Sequence, residues 1–250
     1  MTVTDTLAPG VEKRRIHELF ETLAALVPVT PAVIAEGERP ERLSYGELDR
    51  RANRLARHLR SLGMGAEERV AVALERSPEA VVAVLAVWKA GGAWIPLDLS
   101  QPAARLGALL EESGATFLIA REESAEALKA AAPPWRLQEL GELPPLWQLR
   151  IVRLDRDAAE IAGQSAAPLR CTAGPDHLAY MPDPAGPERR EPVKMTHRDL
   201  VQRALGLPSL SGVELPAVPR TLRLPPGAAL SLDEVLLALG PLRRPEADPG

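Results

Sequence analysis

The sequence predicts an α/β fold, a mainly parallel sheet with helices on both faces. Two observations carry this. From Arg69 to about Ala131, β-branched apolar runs alternate with helix-spaced segments, which is the signature of βαβ units. Within that stretch the helix EAVVAVLAVWKAG is apolar almost all round, as a helix is when buried between layers.

Met1 to Gly10 are expected to form a flexible leader, 11–240 one domain, and 241–250 a frayed tail. From Val11, apolar residues fall at Ile16, Leu19, Phe20, Leu23 and Leu26, a helical spacing that Pro28 ends. PAVIAEGERPERLSY predicts a short hairpin with a strand at Ala32–Ala35, a turn, and a return through Leu43. Ser44 and Glu47 form a capping box. The helix after it puts Leu48, Ala52, Leu55, Ala56, Leu59 and Leu62 on one face and arginines on the other, and Gly63 stops it.

RVAVALE, from Arg69 to Glu75, reads as a buried strand. Ser77 and Pro78 supply the cap and first position of the apolar helix. AWIPLDL is a strand running into a loop. PAARLGALLEESG is a helix begun by Pro102 and stopped by Gly114, followed by the strand ATFLIA and the helix SAEALKAA. After Ala131 the stretch PPWRLQELGELPPLWQL is proline-broken. RIVRLD predicts a further strand, DAAEIAG a short helix, SAAPLRCTAGPD a loop and HLAYM a strand. MTHRDLVQRALG is a helix capped by Thr196. LPSLSGVELPAVPRTLRLPPGAAL matches no element, and SLDEVLLALGPL is a last helix capped by Ser231 with Glu234 three residues on.

Composition narrows the function classes. Hydrophobic content is 46% of 250 residues, enough for a core, and aromatics at 3% leave that core to Leu, Val, Ala and Ile. A net charge of −4 with interspersed signs argues against nucleic-acid binding. One cysteine excludes an internal disulfide and a cysteine-rich metal site. The amino terminus lacks an apolar signal core and no run of 18 apolar residues exists, so no membrane contact is expected and the compartment is cytoplasmic.

Single residues mostly invite plain readings. His17, His58, His177 and His197 show no metal-ligand spacing, and His58 on a charged helix face is expected to be solvated. Cys171 is a lone thiol with no base that the sequence names. Ser44 and Ser231 fit helix caps better than nucleophiles. RRANRLARHLR, from Arg50 to Arg60, lacks the aromatics of a nucleic-acid patch and reads as a wet helix face.

The order of motifs carries more. IHELF, LSYGELDRRANRLARHLRSLG and RVAVALERSPEAVVAVLAVWKAGGAWIPLD follow one another between Ile16 and Ala120. GPDHLAY at Gly174–Tyr180 and KMTHRDL at Lys194–Leu200 continue the series, and LSLDEVLLALGPL is a weaker echo. Together they resemble the amino-terminal part of the adenylation domains of nonribosomal peptide synthetases, which are AMP-forming acyl-activating ligases. The best-matched part is 16–120, with a degenerate second half at 132–240. The resemblance implies activation of an amino acid by ATP and transfer of the acyl group to a carrier thiol.

In that family the segment after LAY is a glycine-, serine- and threonine-rich loop that cradles phosphates. Here MPDPAGPERREPV stands in its place, one residue shorter, with no Ser or Thr between Tyr180 and Thr196. Pro182, Pro184, Pro187 and Pro192 each lack an amide donor. Asp183, Glu188 and Glu191 put anions where a polyphosphate would sit. Two like charges at ~4 Å and an effective ε of ~20 repel by ~4 kcal/mol. The family's domain is also about twice as long as this chain, and the adenine, ribose and lid motifs have no counterpart here.

The resemblance therefore marks Tyr180, Gly186, Arg189, Arg190, Lys194, Thr196 and His197 as a vestigial phosphate-loop region, with no catalytic residue and no metal ligand. The expected function is a truncated, catalytically inactive adenylation-like domain with a structural or protein-interaction role in nonribosomal peptide biosynthesis. Its expected partner is a neighbouring synthetase domain such as a condensation domain, or a complementing adenylation fragment, with no nucleic acid and no membrane. No cofactor is expected. The alternative is an ATP-dependent, aminoacyl-adenylate-forming ligase, needing ATP and magnesium, in which Arg189, Arg190 and Lys194 replace the lost amides.

Overall fold

The computed structural model describes residues 13–36, 40–131, 149–182, 194–205, 221–225 and 229–238. Chain order runs through α1 (Ile16–Leu26), β1 (Pro31–Ala35), β2 (Glu41–Ser44), α2 (Tyr45–Ser61), β3 (Arg69–Ala73), α3 (Pro78–Ala90) and β4 (Ala93–Pro96). It continues with α4 (Ala103–Ser113), β5 (Phe117–Ala120), α5 (Glu122–Ala131), β6 (Arg150–Arg153) and α6 (Ala158–Ala162). The last described elements are β7 (Leu178–Tyr180), β8 (Met195–Thr196), α7 (His197–Leu205), β9 (Leu222–Leu224) and α8 (Leu232–Ala238). The expected leader and tail, and all of the stretch PPWRLQELGELPPLWQL except its last residue, Leu149, lie outside the described residues.

The main sheet has the order β6-β5-β3-β4-β7-β8, parallel throughout except for the antiparallel β7–β8 pair. Alternation along each strand divides two cores. Val70, Val72, Phe117, Ile119 and Val152 face α1, α2 and α3, whereas Ala71, Ala73, Leu118 and Ala120 face Leu106 and Leu109 of α4 and Ala125 of α5. The sheet is thus covered on both faces, which is why its strands read as continuous apolar runs.

Local signals set the helix ends. Ser44 Oγ accepts from Glu47 N at 3.3 Å while Glu47 Oε2 accepts from Ser44 N at 2.9 Å, closing the expected box at the start of α2. Ser77 Oγ accepts from Ala80 N at 3.2 Å, with Pro78 in the first turn of α3. Gly91 ends α3 in the left-handed region at φ 102°, where a Cβ is strained.

Two features depart from the sequence reading. His58, expected to be solvated, is 4% exposed. Arg50 and Arg51 on the side of α2 that reads as wet are exposed, but its later part is partly covered by chain distant in sequence: Asn53 Nδ2 donates to Ala166 O, and Arg57 Nη2 to Ala167 O and Pro168 O. The segment read as matching no element contains β9, which pairs in parallel with β1 and completes a three-stranded sheet β2-β1-β9. Among the described residues no helix is long and apolar enough to cross a membrane.

Candidate functional site

In an open parallel sheet, ligands bind beyond the carboxyl ends of the strands. The connector between β7 and β8 leaves and returns there. Three interactions fasten β7 beneath it. Trp88 Nε1 donates to Ala179 O at 2.7 Å, Met181 N donates to Trp94 O at 2.9 Å, and the Trp94 ring lies against that of Tyr180 with centroids 5.2 Å apart. Tyr180 is buried and Lys194, just before β8, is exposed.

Gly186, Arg189 and Arg190 lie outside the described residues. The rest of the marked group is split in two. In β8, Met195 pairs with Tyr180 and Thr196 with Leu178. Antiparallel pairing therefore carries Thr196 and His197 to the amino end of β7, away from the connector. There Thr196 N donates to Asp199 Oδ2 at 2.7 Å and Asp199 N returns a bond to Thr196 Oγ1 at 3.2 Å, a second capping box. His197 N donates to His177 O at 3.1 Å.

His197 is fully buried and meets the equally hidden His17 of α1 edge to face. Burial, and then the positive charge of Arg15, push its pKa down to about 3. Burial, and then His197, hold His17 well below the ordinary imidazole value. Both rings are neutral at pH 7, so neither offers a positive charge.

A second polar group is built mostly from residues inside the motifs whose role the sequence does not mark. Lys89, one residue before the end of α3, is 1% exposed. Its Nζ ion-pairs with Glu21 of α1 and with Asp49 of α2, the latter at 2.9 Å. Asn53 Nδ2 donates to Asp49 Oδ2 at 3.0 Å and extends the group. The signal that could have found it is a lysine closing a helix that is wholly apolar from Ala80 to Trp88, since a buried lysine needs partners. Cys171 lies beside this region, its Sγ donating to Trp88 O at 3.6 Å, and burial pushes its thiol pKa up. Among the described residues no three His, Cys, Asp or Glu side chains gather as a metal site.

The sheet order and the apolar central helix packed against it define a mainly parallel α/β domain with helices on both faces. The chain matches the model of the AMP-binding enzyme family over residues 20–182, and it belongs to that family. It is 37% identical over 179 residues to chondramide synthase cmdD of Chondromyces crocatus, covering 71% of this chain and 4% of that synthase. It is also 36% identical over 177 residues to tyrocidine synthase 3 of Brevibacillus parabrevis, covering 71% of this chain and 2% of that synthase. The chain thus spans a small fraction of the length of these relatives.

Among solved structures, the nonribosomal peptide synthetase FmoA3 in its AMPPNP-bound form superposes with a TM-score of 0.59 at 29% identity, over 81% of this chain and 20% of that one. The amino-terminal domain of FACL13 from Mycobacterium tuberculosis gives 0.64 at 21% identity, over 76% and 46%, a likeness of fold alone. The resemblance to the amino-terminal part of a peptide-synthetase adenylation domain is thereby upheld.

Proposed function

We propose that this chain is an adenylation-like domain that does not adenylate on its own and serves as a structural or docking module in peptide biosynthesis. The connector between Tyr180 and Lys194 carries the reading. It holds four prolines and three acidic residues, and neither serine nor threonine. Four amides are removed from a segment whose family role is to present amides, and the anions repel a polyphosphate. His197 adds to this, being buried and neutral. The residues present therefore do not fit ATP and magnesium.

The scaffold supports the other half of the reading. The apolar α3, the two-sided sheet and the caps are those of a folding unit, while the connector has lost the character of a phosphate grip. The partner we infer is a neighbouring synthetase domain, such as a condensation domain, or a complementing adenylation fragment, in the cytoplasm.

Isothermal titration with ATP and magnesium tests the first half. No saturable heat that depends on magnesium is expected, and pyrophosphate exchange stays at background with every proteinogenic amino acid. Magnesium-dependent saturable ATP binding, or exchange that depends on one amino acid, would overturn this reading in favour of the ligase with Arg189, Arg190 and Lys194 in place of the lost amides. Size-exclusion with the candidate domains tests the second half; co-elution is expected, and no complex with any of them removes the docking role.

A further inference from the structure

We propose that a cleft between α2 and the 164–170 segment binds a phosphate-class oxyanion. The cleft has a volume of ≈ 430 Å³ and is lined by Arg57, Arg60, Gln164, Pro168, Leu169 and Arg170. Arg60 Nε and Nη2 lie 3.4 and 3.5 Å from Ala90 O, the last residue of α3 before the chain enters β4. The cleft therefore sits at the amino end of the strands, opposite the β7–β8 connector. It stands whether or not the connector grips a nucleotide.

Charge is what singles it out. Many arginines elsewhere are matched to acids, among them Arg51 to Glu41, Arg153 to Glu122, Arg198 to Asp176 and Arg203 to Asp233, and those that are not do not line one cleft together. Arg57, Arg60 and Arg170 have no carboxylate within ion-pair distance among the described residues, and no carboxylate lines their cleft. Three like charges converge without compensation, so an anion is favoured there.

The geometry is partly set in advance. Arg57 Nη2 donates to Ala167 O and Pro168 O at 3.0 Å each, which fixes its guanidinium plane. Arg60 reaches its carbonyl only at the limit of hydrogen bonding, so those donors are available to a better acceptor. Guanidinium forks match carboxylate and phosphate oxygens alike. The count of charges chooses between them: a carboxylate offsets one of three cations, whereas a phosphate group brings about two charges at neutral pH. Pro168 and Leu169 add an apolar wall against which the body of a small phosphate ester packs.

Titration calorimetry of the full chain at constant ionic strength, balanced with chloride, tests the site. The probes are inorganic phosphate, pyrophosphate and phosphoserine. Saturable binding of at least one is expected, together with a rise in melting temperature that chloride does not give. Tighter binding of phosphoserine assigns the site to a phosphate ester, and tighter binding of the inorganic ions to a free anion. Arg60→Gln with Arg170→Gln should weaken binding by about tenfold or more, as loss of charge-assisted bonds does. Arg170→Gln alone removes an exposed side chain and keeps the test open if the pair impairs folding. Absence of saturable binding, or equal affinity in the wild type and both variants, overturns the proposal.

Discussion

His17 and His197 lie 180 positions apart in sequence, yet their rings meet edge to face with centroids 5.7 Å apart. The contact ties α1 to α7 inside the larger core. Both imidazoles are held neutral by burial, and each is charged more readily in the unfolded chain, where the value is about 6.5.

The pH dependence follows in sign. The folded pKa lies below the unfolded one, so between them the unfolded chain binds more protons and stability rises with pH. The contribution is complete above about pH 6.5 and is lost on acidification, down to about 3 for His197. The limiting slope is about 1.4 kcal/mol per pH unit for each ring. Urea melts from pH 7 to pH 4 should show this, and His17→Leu with His197→Leu should flatten the curve. An unchanged acid limb in the double variant would refute the assignment.

The Lys89 group predicts an asymmetry. Lys89→Ala strands Glu21 and Asp49 beside a cavity and is expected to cost about 3–5 kcal/mol. Lys89→Met combined with Glu21→Gln and Asp49→Asn removes the charges together and should recover much of that loss. Denaturant midpoints of the two variants decide it. Equal losses would mean that packing, and not charge, sets the cost.

Neighbouring glycines should respond differently. A Cβ at Gly92 would stand 2.7 Å from Glu68 O, a backbone atom with little room to move. Gly92→Ala is expected to cost about 1–3 kcal/mol through overpacking. Gly65 has open space around its position, so Gly65→Ala serves as the near-neutral control. Thermal melts of both variants check the contrast.

Cys171 should be a slow thiol. Its pKa is raised by burial and its Sγ donates to Trp88 O. Alkylation or disulfide exchange at pH 7.5 is expected to run about tenfold or more slower in the folded chain than in denaturant. A rate equal to that of free cysteine would count against this burial.

Between Ile16 and Ala131 the elements are legible in the sequence because their signals are local. Apolar spacing marks α1 and α2, Ser44 and Ser77 mark starts, and Gly91 and Gly114 mark ends at positive φ. β8 and β9 are not legible. They are two and three residues long, and β9 exists only by pairing with β1 far earlier in the chain. The candidate site divides the same way. The chemistry of the connector can be read from its prolines and acids, whereas the separation of His197 from it follows from antiparallel pairing of Thr196 with Leu178.

The α/β class, the order of the elements, the family and the altered character of the connector are all written in the chain itself. Periodicity, capping and residue chemistry act within a few positions, and the order of residues records them directly. Folding in three dimensions was needed to bury His58 and Lys89, to bring His17 against His197, and to gather Arg57, Arg60 and Arg170 in one cleft. Those facts depend on which distant segments pack together, and burial and electrostatic environment are properties of that packing and not of any residue's neighbours in the chain.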